Sequence, residues 1–161
     1  MREWIDMKMK ARIGIAAAFS FLCVTGTRAA DFDGDGVADE FTVTREANKV
    51  TSDSTVRLVN PWDKAKASKK PAKGLGFIVR LSRTPQTYLL HDPDFFNSPS
   101  WKEGKPPVEV ITKKDPRHRE WKKQVPALQF DALQLGTEAG IDILLYWNGK
   151  QWRLFWPDEE P

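Results

Sequence analysis

The chain has 161 residues, enough for one domain, with 25 basic and 22 acidic residues and a single cysteine. Its net charge of +3 does not describe the part expected to fold. Five basic residues (Arg2, Lys8, Lys10, Arg12, Arg28) and two acidic ones (Glu3, Asp6) fall within the first 29, leaving 20 of each sign beyond them. That balance excludes a protein that binds nucleic acid through its overall charge. Cys23 lies in the same N-terminal stretch, so the remainder can form no disulfide.

Residues 1–29 have the pattern of a secretory leader. Arg2, Lys8, Lys10 and Arg12 precede an apolar run from Ile13 to Val24, and small residues follow up to Ala29 and Ala30. The run is shorter than the roughly 20 apolar residues a membrane-spanning helix needs. Cleavage is expected after Ala29, which places Thr27 and Ala29 at the two small-residue positions. Leu22 ahead of Cys23 rules out a lipoprotein signal, which needs a small residue there. The expected product is a periplasmic or secreted domain of residues 30–161, with no transmembrane segment.

That domain opens on an acidic loop, Asp31 to Asp39. Phe41 to Thr44 and Val56 to Val59 then read as strands from their alternation and β-branched content. Residues 61–73 carry lysine, proline and alanine without sustained apolar periodicity, and read as a loop. Gly74 and Gly76 lead into a strand from Phe77 to Leu81. A second runs from Thr87 to His91, and the short link between the two predicts a hairpin. Residues 92–107 are rich in proline and turn formers. Val108 to Thr112 is a short strand, and Asp115 to Val125 is a basic stretch read as an exposed helical turn or a loop.

The C-terminal strands are Ala132 to Leu135, Ile141 to Trp147 and the run after Asn148-Gly149. Asn-Gly is the dipeptide of a two-residue type I′ hairpin, because both central residues need positive φ. This predicts Trp147 opposite Lys150, Leu145 opposite Trp152, Ile143 opposite Leu154 and Ile141 opposite Trp156. One face then holds Ile141, Ile143, Leu145, Trp147, Trp152, Leu154 and Trp156, a core face. The fold class expected is mainly β, an antiparallel sheet or small β-sandwich of about six to eight strands in one domain with long irregular loops.

The acidic loop carries the most specific chemistry. Asp31, Asp33, Asp35, Val37 and Asp39 sit at the ligand positions of D-x-D-G-D-G-x-x-D. A hard cation takes six to eight oxygens, and alternate Asp side chains around a glycine-sharpened turn supply them, with the Val37 carbonyl and Asp39 completing the set. Thr42 occupies the place where an EF-hand has its bidentate Glu, and a strand follows instead of a helix, so the loop is not an EF-hand. It resembles the calcium loop of FG-GAP and VCBS-type repeats, the blade units of integrin-like β-propellers, over Asp31 to about Val43. The resemblance implies Ca²⁺ ligation by Asp31, Asp33, Asp35, Val37 and Asp39. The propeller does not follow, because the loop occurs once and the domain is too short.

Other constellations carry less. His91 beside Asp92 reads as a structural hydrogen-bonding pair at a strand end. No nucleophile elbow or paired-carboxylate spacing occurs, so the expectation is a non-enzymatic protein. Trp62, Trp101 and Trp121 lie in the irregular basic middle of the chain, where 15 basic residues face 7 acidic ones between Pro61 and Lys123. They are candidates for stacking on a protein or glycan of the cell envelope, or for capping sheet edges beneath the loops. The function expected is an exported calcium-binding domain with a binding or structural role. A periplasmic inhibitor or immunity-type protein is the alternative, and a hydrolase ranks last.

Overall fold

The computed structural model describes residues 25–50, 55–62, 73–84 and 86–157. The stretch up to Val24 expected to be a leader and the lysine-rich residues 63–72 expected to be a loop lie outside the described residues. The chain order begins β1 (Thr25–Ala30), β2 (Asp39–Thr44), α1 (Ala47–Val50), β3 (Val56–Val59), β4 (Gly76–Arg80) and β5 (Thr87–Leu90). A 3-10 turn (Phe95–Asn97), α2 (Pro99–Lys102), β6 (Val108–Ile111), α3 (Pro116–Gln124), β7 (Ala132–Gly136), β8 (Asp142–Trp147) and β9 (Trp152–Phe155) follow. The fold is mainly β.

Two sheets form, of five strands in the order β1-β2-β4-β5-β3 and of four in the order β6-β7-β8-β9. The predicted hairpin of β4 and β5 is present, with Phe77 paired to Leu90 and Arg80 to Thr87. Pairing is antiparallel throughout except at β3, which runs parallel to β5 with Val56 opposite Thr87. β1 pairs with β2, Ala30 opposite Asp39. It falls in the segment expected to leave with the leader, and cleavage after Ala29 would remove all of this strand but Ala30.

The sheets face one another across a shared core, because strand alternation sends every second side chain inward. Phe41, Val43, Phe77, Val79, Tyr88 and Leu90 come from the first sheet, and Leu133, Leu135, Ile143, Leu145 and Trp152 from the second. Aromatic rings meet edge to face within it, Phe41 with Phe77 at 5.4 Å and Phe77 with Phe96 at 5.0 Å between centroids.

The C-terminal hairpin keeps its predicted faces and departs from its predicted register. Trp147 pairs with Trp152 and Leu145 with Leu154, so the connection is wider by two residues than a type I′ turn. Asn148 is the reason. Its side-chain oxygen accepts from the backbone N–H of both Lys150 and Gln151, each at 3.0 Å, and this local turn replaces the tight one. A slip of two residues preserves which side chains face the core, whereas a slip of one would have exchanged them.

The segment after Asp115 is a nine-residue helix and is not exposed on all sides. Asp115 caps it by accepting from Arg117 N at 2.9 Å, and Pro116 occupies its first turn. His118 and Trp121, three residues apart, lie on its buried face. Trp121 and Val125 cover Ile111, Leu128, Ala132 and Leu144 on the outer side of the second sheet. The second sheet is thus buried on both faces. This also explains the apolar Leu144, Tyr146 and Phe155 on the hairpin face away from the main core.

Candidate metal centre

The loop between β1 and β2 turns back on itself twice, at Gly34 (φ 78°) and Gly36 (φ 83°), in the left-handed region that side chains rarely adopt. Gly34 has a second constraint. A Cβ there would sit 2.1 Å from Cε1 of Phe130, so the loop lies directly against that ring.

Within the loop, carboxylates satisfy backbone donors. Asp31 accepts from Gly34 N at 2.7 Å and Gly36 N at 3.3 Å, and Asp33 accepts from Asp35 N at 3.2 Å. Asp39, 1% exposed at the start of β2, accepts from Phe32 N at 2.8 Å and Ser82 N at 2.7 Å. Burial raises the pKa of Asp39. The two backbone donors oppose the rise and the charge of Asp33 adds to it.

Asp31, Asp33 and Asp39 each offer a carboxylate oxygen, and these oxygens lie within 4.8 Å of one another. Their donor set is all oxygen, which fits a hard cation and suits neither a thiolate-seeking nor an imidazole-seeking metal. Each carboxylate that accepts from an N–H keeps further lone pairs for an ion. These three residues could hold a metal ion.

Asp35, the remaining expected carboxylate, is not among the three. Asp35 is turned toward β4's end, where it accepts from Ser82 Oγ at 3.0 Å and pairs with Arg83 Nε at 3.4 Å. Val37 donates its N–H to Asp35 at 2.7 Å, and its residue surface is 56% exposed.

Residues distant in the chain brace the loop. Asp131, buried just before β7, accepts from Asp31 N at 2.9 Å and from Lys113 N at 2.8 Å. Its own N–H donates to the Asp31 carbonyl at 3.1 Å. Behind it, His118 Nε2 donates to the Phe130 carbonyl at 2.9 Å, while Lys113 Nζ lies 5.0 Å from the centroid of the Phe130 ring. α3 and the second sheet therefore hold the loop from outside. Asp131, Phe130, Ser82 and Arg83 carry no sequence signal for this role, since none belongs to a spaced motif.

The other singled-out residues are structural. His91 and Asp92 do not bond to each other. His91 Nδ1 donates to the Leu75 carbonyl at 2.7 Å, and Asp92 accepts from Asn60 Nδ2 at 2.8 Å and from the N–H groups of Asp94 and Phe95. Trp101 is 1% exposed and Trp121 9%, so both pack and neither presents a stacking surface. Trp62 is half-buried, with its ring 5.1 Å from Phe95 and 5.0 Å from Phe96. Trp101 packs from α2 into the main core and Trp121 from α3 against the outer face of the second sheet. Among the described residues, no helix is long and apolar enough to cross a membrane. No family model matches the chain, and neither a curated protein nor a solved structure does.

Proposed function

We propose that the chain is an exported, non-enzymatic calcium-binding β domain of the periplasm or cell envelope, with a binding or structural role and a single calcium loop of the FG-GAP and VCBS type. The observation that carries this reading is the convergence of Asp31, Asp33 and Asp39 in a loop spaced D-x-D-G-D-G-x-x-D. Ca²⁺ is the hard cation that accepts such a mixed shell of carboxylates and carbonyls without strict geometry. When bound, it would neutralise the repulsion among the clustered carboxylates and fasten the start of β2 to the loop. Asp35 and the Val37 carbonyl complete the shell in this reading, Asp35 exchanging its ion pair with Arg83 for the ion.

The expected affinity is that of extracellular calcium modules, on the order of 10⁻⁴ to 10⁻³ M. Millimolar calcium then adds roughly 0.5–1.5 kcal/mol of stability by linkage. Calorimetric titration and thermal unfolding with and without calcium test this. Asp33→Ala should abolish the calcium-dependent rise in Tm, whereas Asp94→Ala, outside the loop, should leave it intact. Absence of calcium binding by the wild-type protein at millimolar concentration would reduce the loop to a turn and remove this reading.

A further inference from the structure

A second site lies where the two sheets end on the same side. β3 is the last strand of the first sheet and β9 the last of the second. Between them is a cleft of about 630 Å³, within the range of small-ligand sites. It shares no lining residue with the metal loop.

Its chemistry is one-sided. Arg57, Lys150 and Arg153 line it, and none of its described lining residues is acidic. Among the described residues, none of the three enters an ion pair. Arg153 instead faces the neutral side-chain amide of Gln151, whose oxygen accepts from Arg153 Nε once that amide is turned end for end. Three cations gathered with no acidic side chain among the described lining residues give a positive, concave surface.

The wall is aromatic. Trp147 is half-buried and held against two other lining rings, 5.6 Å from Tyr88 and 5.8 Å from Trp152. It is a flat platform whose orientation is already set, so little entropy is lost when something stacks on it. Trp152 also lines the cleft. It is 3% exposed, and its Nε1 donor has no acceptor. A buried N–H of this kind costs free energy until something accepts from it.

We propose that this cleft binds an acidic saccharide, with a sugar ring on Trp147 and its carboxylates at Arg57, Lys150 and Arg153. A pyranose ring offers a C–H face to the indole and hydroxyl oxygens to nearby donors, while uronate groups supply the missing charge. An extended peptide fits less well, because charged residues on edge strands, here Arg57 on β3 and Arg153 on β9, discourage strand addition. The inference names a partner class for the envelope protein proposed above, but it rests on the cleft alone and would survive failure of the calcium reading.

Calorimetric titration of the protein with tetragalacturonate, its neutral methyl ester and tetraglutamate tests the proposal, with tryptophan fluorescence as a second readout. Tetragalacturonate should bind, and the methyl ester should bind at least about tenfold more weakly, because charge pairs across a site contribute on that scale. Tetraglutamate should not compete. Trp147→Ala should abolish binding. Should that variant fail to fold, the exposed Arg57→Glu and Lys150→Glu carry the test, each expected to weaken binding at least about tenfold without altering near-UV circular dichroism. No binding at millimolar saccharide, equal binding of tetraglutamate or of the neutral ester, or indifference to both charge reversals would overturn it.

Discussion

Replacing Asp131 tests the tertiary bracing of the acidic loop more directly than replacing any loop residue. Its carboxylate accepts from the backbone N–H of Asp31 and of Lys113, joining the loop to the end of β6. A hydrogen bond to a charged acceptor contributes about 1.5–3 kcal/mol. Two such bonds at the edge of the buried region, where water can replace some of the loss, give about 2–4 kcal/mol for Asp131→Ala. For a domain of this size that is a fall in Tm of roughly 6–15 °C. Asp131→Asn retains one acceptor oxygen and sets its amide against the other N–H, so it should lose at least half as much. Urea unfolding of the three proteins measures the free energies, and calcium titration of the same samples reads the loop. Calcium affinity should weaken in both variants, since an unbraced loop must lose more conformational freedom on binding. A change of less than about 0.5 kcal/mol in Asp131→Ala, the ordinary range of a surface substitution, would refute the claim that this side chain holds the loop.

Gly34→Ala should destabilise by about 1–3 kcal/mol, from positive φ and from the clash with Phe130, and pairing it with Phe130→Ala should recover part of the loss; a neutral Gly34→Ala measured by denaturation would contradict the packing. Leu145→Ala should cost about 2–5 kcal/mol as a fully buried leucine, and the exposed Gln151→Ala under about 0.5 kcal/mol, so equal losses would reject the hairpin faces. Protein produced from Ala30 onward, without the rest of β1, should still unfold cooperatively if residues 1–29 are a leader. A molten or aggregated product, seen by near-UV circular dichroism and size-exclusion chromatography, would make β1 part of the domain and count against cleavage after Ala29.

Much of the architecture was legible because strands announce themselves locally. Val56 to Val59 was read with its observed bounds, and β4 through β8 within a residue or so of theirs, since alternation and β-branched content act over four to six residues. The acidic group was legible for a similar reason. Asp31, Asp33 and Asp39 are close in the chain, and the intervening glycines let the loop turn sharply enough to gather them. Asp35 belonged to the same spaced pattern, yet Arg83 and Ser82 beyond β4 hold it away, a competition that spacing does not record.

The helix was harder to read. Pro116 to Gln124 is strongly basic and has two buried residues, so its apolar stripe is narrow. What makes it a packed element is Trp121, which finds Leu144 and Phe155 on a sheet face formed much later in the chain.

Local rules therefore determined the strand positions, the inward face of the C-terminal hairpin and the acidic loop with its clustered carboxylates. Tertiary structure decided the stacking of two sheets, the parallel docking of β3 on β5, the burial of Trp101 and Trp121, and the bracing of Asp31 by Asp131. Periodicity and turn chemistry involve neighbours a few residues apart, so one segment contains the whole interaction. The pairing of Asp31 with Asp131, 100 residues apart, depends on where both sheets come to rest, and neither segment carries that information alone.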